Sequence, residues 1–406
     1  MISIEHPSIR SAVVGLGYGL LPLHFVGTDK FALIVKATKE AILTARLNQE
    51  MKLYLVPDSS KGAYSLGLIT AFFDDHDEPL VLFTPMYTGD ELQSDLIGVL
   101  SQPAFDVFFF DENHREMMGV RVRVNNAEQV RKALQQALFK ELELENVGKD
   151  LEMMGTWFGS RSEMDDATAF QLEFKEKLYP DDLAVIDTNP EAYDFNGAEG
   201  SPAVTSLERQ EPGTFQERDI VAFLKRAFPA DTIFLNPVRL DTGREFCDVL
   251  CLTNDVLLVV QAKDSPNTEA TLRRNINRKR AVIRSHIEKA AQQLRGALSY
   301  AKELEELKVR TSSGDHSLKI RGQSICGLVV VRELFDDDYR SCSAPVLSLS
   351  RECALPCVLT DFPALYMMTM HLKSPVRIMN GLVQLCEIGM DNGEFPKPRF
   401  LGPPVG

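Results

Sequence analysis

Residues 244–263 constrain the fold more than any other part of this chain. Their sequence, REFCDVLCLTNDVLLVVQAK, holds two apolar runs separated by the polar tripeptide 253–255, which predicts two β-strands joined by a tight turn. Side chains two residues apart on a strand share a face, so Gln261 and Lys263 should point the same way. The turn should bring Asp248 back toward that pair.

An acid, an amide and an ammonium at one end of a sheet form a chemically specific group. Carboxylate and amide oxygens are ligands that Mg²⁺ prefers, and an ammonium can offset charge that develops on a phosphate. The run 256–260 is apolar throughout, as in a strand buried on both faces, so the polar residues that follow it need a reason. The group favours metal-dependent phosphodiester chemistry.

The charge of the chain is divided unevenly between its halves. The net charge is −14, but residues 1–200 hold 33 acids and 17 bases, whereas residues 201–406 hold 25 acids and 27 bases. A net charge of −14 argues against a general nucleic-acid binder, although the affinity for nucleic acid depends on local patches of positive charge. The acidic first half is therefore not expected to bind DNA. We expect it to sense a protein partner or a ligand, or to restrain the activity of the second half.

Cysteine usage and hydropathy indicate a cytoplasmic protein. The seven cysteines are too sparse for a disulfide framework and suggest reduced thiols. No apolar run reaches the roughly 18–20 residues that a membrane span requires, so no membrane association is expected.

The sequence pattern predicts two domains. Residues 1–178 alternate between strand-like and helix-like patterns, including helices over 91–101 and 126–145, and weak helical character over 151–178; this predicts an α+β domain. Residues 179–213 are rich in Pro, Gly, Asp and Asn, as in a linker. Residues 214–406 then read as a helix, three strands, a long helix, two strands and a helix, an α/β pattern.

The second domain resembles the PD-(D/E)XK nuclease superfamily over about residues 210–375, and most closely its Mrr-type branch with Gln at the second ligand position. The resemblance implies a restriction-endonuclease-like mixed sheet flanked by helices and Mg²⁺- or Mn²⁺-dependent hydrolysis of DNA. It implies that Asp248 and Gln261 bind the metal and that Lys263 positions the attacking water. The neutral Gln261 should bind the metal less tightly than Glu would.

A further acid is needed to complete such a site, and two candidates are present. Glu217 matches the acid that the superfamily often carries on its first helix, as a catalytic residue and metal ligand. The spacing from Thr214 to Glu217 equally fits a capping box. Glu245 is a rival, but a residue three positions from Asp248 on a regular strand should lie on the opposite face.

Six bases lie within twelve residues just after Lys263. We interpret them as contacts to a nucleic-acid backbone, most simply duplex DNA, because no aromatic residues lie among them for stacking on single strands. A solvated charged face is the alternative. These residues are Arg273, Arg274, Arg278, Lys279, Arg280 and Arg284.

The function expected from the resemblance is a DNA endonuclease, and such domains fused to unrelated modules suggest an effector of bacterial (antiviral) defence against phage or plasmid DNA. Cutting both strands with one site per chain would favour a homodimer. Two alternatives stay open: a catalytically silent nuclease-fold module that binds protein or nucleic acid, and an enzyme that acts on RNA or single strands.

Overall fold

The computed structural model of the chain describes residues 1–25, 31–59, 62, 64–76, 78–89, 91–180, 185–187, 194–198, 203–211 and 213–398. The chain forms two compact units. The first comprises Met1–Val185, Ser206–Glu208 and Asn267–Arg273, and the second comprises Ile186–Thr205, Arg209–Pro266 and Arg274–Gly406. Part of the predicted linker 179–213, including residues 181–184, 188–193 and 199–202, lies outside the described residues.

Helices occur in both units. In chain order the described α-helices are α1 (Ile2–Glu5), α2 (Ile9–Gly15), α3 (Lys39–Asn48), α4 (Glu91–Leu100), α5 (Ala127–Gln136), α6 (Leu144–Gly159), α7 (Glu163–Thr168), α8 (Gly213–Leu224), α9 (Glu269–Leu272), α10 (Ile276–Lys302), α11 (Tyr339–Cys353), α12 (Phe362–His371) and α13 (Pro375–Asn392). Short 3₁₀ turns cover Ala230–Thr232 and Asp336–Asp338.

Strands also occur in both units. The described strands are β1 (Gly19–His24), β2 (Phe31–Lys36), β3 (Glu50–Pro57), β4 (Tyr64–Phe72), β5 (Leu80–Pro85), β6 (Ala104–Phe110), β7 (Glu116–Val124), β8 (Leu138–Phe139), β9 (Phe170–Lys177), β10 (Val185–Asp187), β11 (Ala203–Thr205), β12 (Ile233–Leu235), β13 (Val238–Arg239), β14 (Val249–Leu252), β15 (Val256–Lys263), β16 (Glu306–Thr311), β17 (Gly314–Lys319), β18 (Ser324–Val331) and β19 (Cys357–Asp361).

The first unit is built on one mixed sheet. Its strands follow the order β1-β2-β6-β7-β9-β3-β4-β5, with β8 beside β4. The β2/β6 and β4/β8 pairs are parallel, and the other neighbours in this order are antiparallel. One hydrophobic core joins residues of the sheet to residues of α3, α4 and α5. The α+β pattern expected for this half is therefore present.

Two helical predictions in the first unit are wrong. The predicted helix 126–145 ends as α5 at Gln136, because the chain then becomes extended, pairs with β4 and buries Phe139. The weakly helical stretch 151–178 contains α6 and α7, but it ends in β9, which pairs with both β7 and β3. Sheet pairing overrides local helical preference at both places.

The second unit contains a separate mixed sheet in the order β12-β14-β15-β18-β19. β12, β14 and β15 pair antiparallel, whereas β15, β18 and β19 pair parallel. The parallel pairs need crossover connections, and the long segments that contain α10 and α11 supply them. The second unit is thus a mixed α/β structure, as the sequence pattern predicts.

The hairpin predicted from residues 244–263 is confirmed. β14 and β15 pair with Val249 opposite Val260 and Leu252 opposite Leu257. Each residue of β15 before Lys263 is buried, because helices α8, α10 and α13 pack against this central strand. The first strand is shorter than expected, since regular pairing begins at Val249 rather than at Phe246.

α10 packs closely on the sheet of the second unit. A β-carbon at Gly327 of β18 would lie 2.8 Å from Leu294 Cδ2 and 3.1 Å from Leu298 Cδ1. Both leucines belong to the buried stripe of α10, so a side chain at position 327 would push this helix off the sheet. This packing fixes the position of α10 relative to β15.

All seven cysteines lie in the described part of the chain; each is buried and none forms a disulfide bond. None of the helices that the structure describes is long and apolar enough to cross a membrane.

Candidate functional site

Asp248 lies just before β14, opposite the polar end of β15. Its side chain is 5% exposed. Its Oδ2 accepts a hydrogen bond from the Ala262 amide at 2.6 Å and lies 3.6 Å from Lys263 Nζ. The hairpin therefore brings Asp248 and Lys263 together, as the sequence predicts.

Gln261 lies two positions before Lys263 on β15. The residue is 3% exposed, and its Oε1 is a buried atom without a hydrogen-bond partner among the described residues. An oxygen buried in this way costs roughly 1–3 kcal/mol unless a partner binds it. Gln261 is thus poorly explained as a group that satisfies amides at the sheet end, and its oxygen is available to a ligand.

Glu217 reaches the same region from α8. Its Oε2 accepts a hydrogen bond from Asn236 Nδ2 at 2.9 Å. The backbone amide of Asn236 donates to the backbone carbonyl of Asp248, also at 2.9 Å. Burial raises the pKa of Glu217; the Asn236 hydrogen bond opposes this shift and the charge of Asp248 adds to it. The capping-box alternative is wrong, because α8 begins at Gly213 and Thr214 lies inside the helix.

Glu245 also faces this group, contrary to the expectation from strand alternation. Glu245 forms an isolated bridge with Val238, and the next regular strand begins at Val249. Side chains in this irregular segment therefore need not alternate between the two faces of the sheet. Burial, then a hydrogen bond and repulsion from Asp248, raise the pKa of Glu245 to about 7. More than a third of the residue is exposed, so solvent screens part of this shift.

The side chains present suit a hard divalent cation in type. Asp248 offers a carboxylate, Gln261 offers an unsatisfied amide oxygen, and Glu217 and Glu245 are the candidates for a second carboxylate. No group of three His, Cys, Asp or Glu side chains within the described ranges is already arranged as a metal site. A cation would therefore need the Gln261 oxygen as a ligand, and the side chain of Glu217 or Glu245 would have to move toward it.

The six bases after Lys263 do not form one free surface. Arg280 lies 2.9 Å from Asp337, Arg284 lies 3.2 Å from Asp338, and Lys279 is buried. Arg280, Arg284 and Lys279 therefore already have partners or are buried within the second unit, and their contact with a nucleic-acid backbone stays a prediction.

The three remaining bases differ from one another. Arg273 pairs with Glu269 at 2.7 Å, and both residues belong to the first unit. Arg274 and Arg278 have no acidic partner in the part of the chain that the structure describes. They are the bases best placed to contact an anion.

His286 on α10 is a residue that sequence reasoning missed. Its Nδ1 is buried and has no hydrogen-bond partner within the described part of the chain. Burial lowers its pKa, and the positive charges of Lys289, Lys263 and Arg274 lower it further. The helix therefore adds positive charge and a neutral imidazole near Lys263. The sequence signal was weak: His286 lies eight residues after Arg278, on the same helical face.

In comparisons with known proteins, no protein-family model, no curated protein sequence and no solved structure matches the chain.

Proposed function

We propose that the second unit is a metal-dependent nuclease that hydrolyses DNA phosphodiester bonds. The observation that carries the proposal is the end of the β14–β15 hairpin. There a buried carboxylate of Asp248 lies 3.6 Å from the Lys263 ammonium, beside the unsatisfied buried oxygen of Gln261. Purely structural residues would satisfy one another, whereas this group leaves an oxygen ligand available.

The element order supports a restriction-endonuclease-like fold for this unit. α8 precedes β12, the β14–β15 hairpin follows, and α10 precedes the parallel strand β18. The sheet order β12-β14-β15-β18 places the hairpin at its centre. These features agree with the resemblance to the PD-(D/E)XK superfamily, and membership is part of the proposal.

Each residue has a role in the proposed reaction. Asp248, Gln261 and one of the two glutamates would hold Mg²⁺ or Mn²⁺. Such a cation lowers the pKa of bound water and neutralises negative charge in the transition state. Lys263 would orient the attacking water and offset charge on the phosphate. Arg274 and Arg278 would hold the nucleic-acid backbone through electrostatic contacts.

Direct cation binding tests the proposal. The full-length protein should bind Mn²⁺ in a titration followed by electron paramagnetic resonance, and Asp248→Asn should weaken binding at least tenfold. Asp255→Asn is the matched control, because Asp255 is exposed in the turn at the other end of the hairpin. A folded wild-type protein that binds no Mn²⁺ would favour the catalytically silent module instead.

A defence role and a homodimer are predictions that follow from the nuclease proposal rather than from any contact in the structure. Both would gain support if the enzyme cut both strands of foreign DNA in cells.

A further inference from the structure

The first unit exposes a run of leucines beside an acidic groove. Leu138, Leu142 and Leu144 are 53%, 55% and 57% exposed, and Tyr64, which pairs with Leu138 across β4 and β8, is 38% exposed. We call these four residues the leucine surface. Single exposed apolar residues are ordinary, but several within seven positions of one segment mark an interaction site.

A groove of about 610 Å³ adjoins the leucine surface. Its lining includes Tyr64 and Phe139, and it includes Glu141 and Glu143, the chain neighbours of Leu142. The groove and the leucine surface share Tyr64, and Leu138 and Leu142 are chain neighbours of lining residues.

Buried polar groups define the wall of this groove. Lys140 Nζ lies 3.3 Å from Asp150 Oδ1 and 2.5 Å from Asp58 Oδ2. The Tyr87 hydroxyl donates to Asp150 Oδ2 at 3.4 Å. Asp58 and Asp150 are both almost fully buried, so Lys140 is held between two carboxylates. Lys149 is the other base of the groove lining, which also contains Glu141 and Glu143.

The charge around the groove is negative. Residues 141–152 contain five acids and one base, and residues 141–145, with the sequence ELELE, are all exposed. Apolar side chains and carboxylates therefore alternate along the same exposed segment. A second copy of this chain would bring like charges together here, which disfavours self-association through this face.

We propose that the leucine surface and its groove bind a protein segment that combines basic and apolar residues. Apolar side chains of the partner would cover Leu138, Leu142 and Leu144, and its lysine or arginine side chains would pair with Glu141 and Glu143. The alternating leucines and carboxylates offer such a segment both apolar contact area and charge complementarity. It does not depend on the nuclease proposal.

The test measures binding of a fluorescein-labelled ten-residue peptide that alternates Lys and Leu to the full-length protein, by fluorescence anisotropy. A matched peptide alternates Glu and Leu. The wild type should bind the Lys-Leu peptide saturably and at least tenfold more tightly than the Glu-Leu peptide. Higher salt should weaken the binding, because exposed charges are screened.

Variants locate the binding. Leu142→Ser with Leu144→Ser should weaken binding of the Lys-Leu peptide at least tenfold, and the isosteric pair Glu141→Gln with Glu143→Gln should weaken it severalfold. Met164→Ser is the control, because Met164 is 72% exposed on α7, away from the groove lining. Circular dichroism checks the fold of each variant.

Three results would overturn the proposal. Wild-type binding of the Lys-Leu peptide by both double variants would place the binding elsewhere, and a wild type that binds neither peptide, or both equally, would remove the charge argument. A dimer seen by light scattering that Leu142→Ser with Leu144→Ser converts to a monomer would assign the surface to a second copy.

Discussion

Asp248 and Gln261 are buried polar side chains with very different surroundings. Asp248 accepts a short hydrogen bond from the Ala262 amide and lies beside Lys263, so its charge is compensated. The side-chain oxygen of Gln261 has no hydrogen-bond partner among the described residues. A fold selected only for stability would gain by replacing this glutamine with an apolar residue, so its presence favours a binding role.

Gln261→Glu should increase the affinity of the site for Mn²⁺ by about tenfold, because a carboxylate adds ligand charge to a hard-cation site. It should also lower the free energy of unfolding without metal, since a second buried acid then lies beside Asp248. Titration calorimetry and urea denaturation measure the two effects. Gln293→Glu, at an exposed position of α10, should change neither, and unchanged affinity in Gln261→Glu would count against a ligand role.

The sequence predicted three of the site residues because they lie on the β14–β15 hairpin or directly beside it. Strand alternation and a tight turn suffice to bring Asp248, Gln261 and Lys263 together. The orientation of Glu245 was not predictable, because it depends on an irregular segment between an isolated bridge and β14. His286 is brought near Lys263 only by the packing of α10 on the sheet, which single-sequence patterns do not reveal.

At the scale of elements, α10 carries arginines with two different tasks. Arg280 and Arg284 pair with Asp337 and Asp338, whereas Arg278 and the preceding Arg274 have no acidic partner among the described residues. A count of bases along the sequence cannot separate these groups, because the pairing acids lie more than fifty positions further along the chain.

Arg274→Ala and Arg278→Ala should each weaken binding to duplex DNA and reduce the slope of log affinity against log salt by about one. Arg280→Ala and Arg284→Ala should leave that slope unchanged, because their charges are already paired. Fluorescence anisotropy with a labelled duplex at several salt concentrations measures the slope. Equal slopes for all four variants would show that the arginines do not contact phosphates individually.

α12 depends on a titratable cap. Asp361 accepts a hydrogen bond from the Ala364 amide at 2.8 Å at the N-terminus of this helix, and burial raises its pKa to about 6. The folded protein therefore holds this proton more tightly than the unfolded chain does. The stability that results is fully present below about pH 4 and is lost as the pH rises through about 6.

Asp361→Asn should remove this pH dependence and keep the cap, because Asn also accepts at an N-cap. Between pH 4.5 and 7.5 the wild type should lose about 2 kcal/mol more unfolding free energy than the variant does. Urea denaturation at both pH values gives the comparison, with Asp391→Asn as an exposed control. Parallel losses in wild type and Asp361→Asn would contradict the assignment.

Predictions of elements succeeded where the pattern and the tertiary contacts agree. The β14–β15 hairpin and the long helix α10 follow directly from apolar periodicity. The helix expected over 126–145 failed because Phe139 is buried by pairing with β4, a contact with a strand more than sixty residues earlier. Such long-range pairing leaves no trace in local periodicity.

At the scale of the whole molecule, the two units are not separated by a single cut in the chain. Leu207 and Leu272 lie in the hydrophobic core of the first unit, although both follow its main segment in sequence. A fragment that starts at residue 206 would therefore carry two leucines without their core.

That fragment, residues 206–406, should self-associate and bind the dye ANS, because Leu207 and Leu272 are then exposed. Leu207→Ser with Leu272→Ser should reduce both signals within the same fragment, as measured by light scattering and dye fluorescence. Any test of whether the first unit restrains the second should use this substituted fragment. If the fragment without the substitutions stayed monomeric, other residues of the fragment would have to cover Leu207 and Leu272.

The central claim is that the Asp248–Lys263 group hydrolyses DNA with a divalent cation. Its most direct test is cleavage of supercoiled, linear and single-stranded DNA with Mg²⁺, Mn²⁺ or EDTA. The assay compares wild type with Lys263→Ala and Asp248→Ala, and with Lys308→Ala as a control, since Lys308 is 63% exposed on β16. We predict metal-dependent cleavage that falls at least a hundredfold in the first two variants and persists in the control. Cleavage at the wild-type rate by Lys263→Ala or Asp248→Ala would contradict the claim.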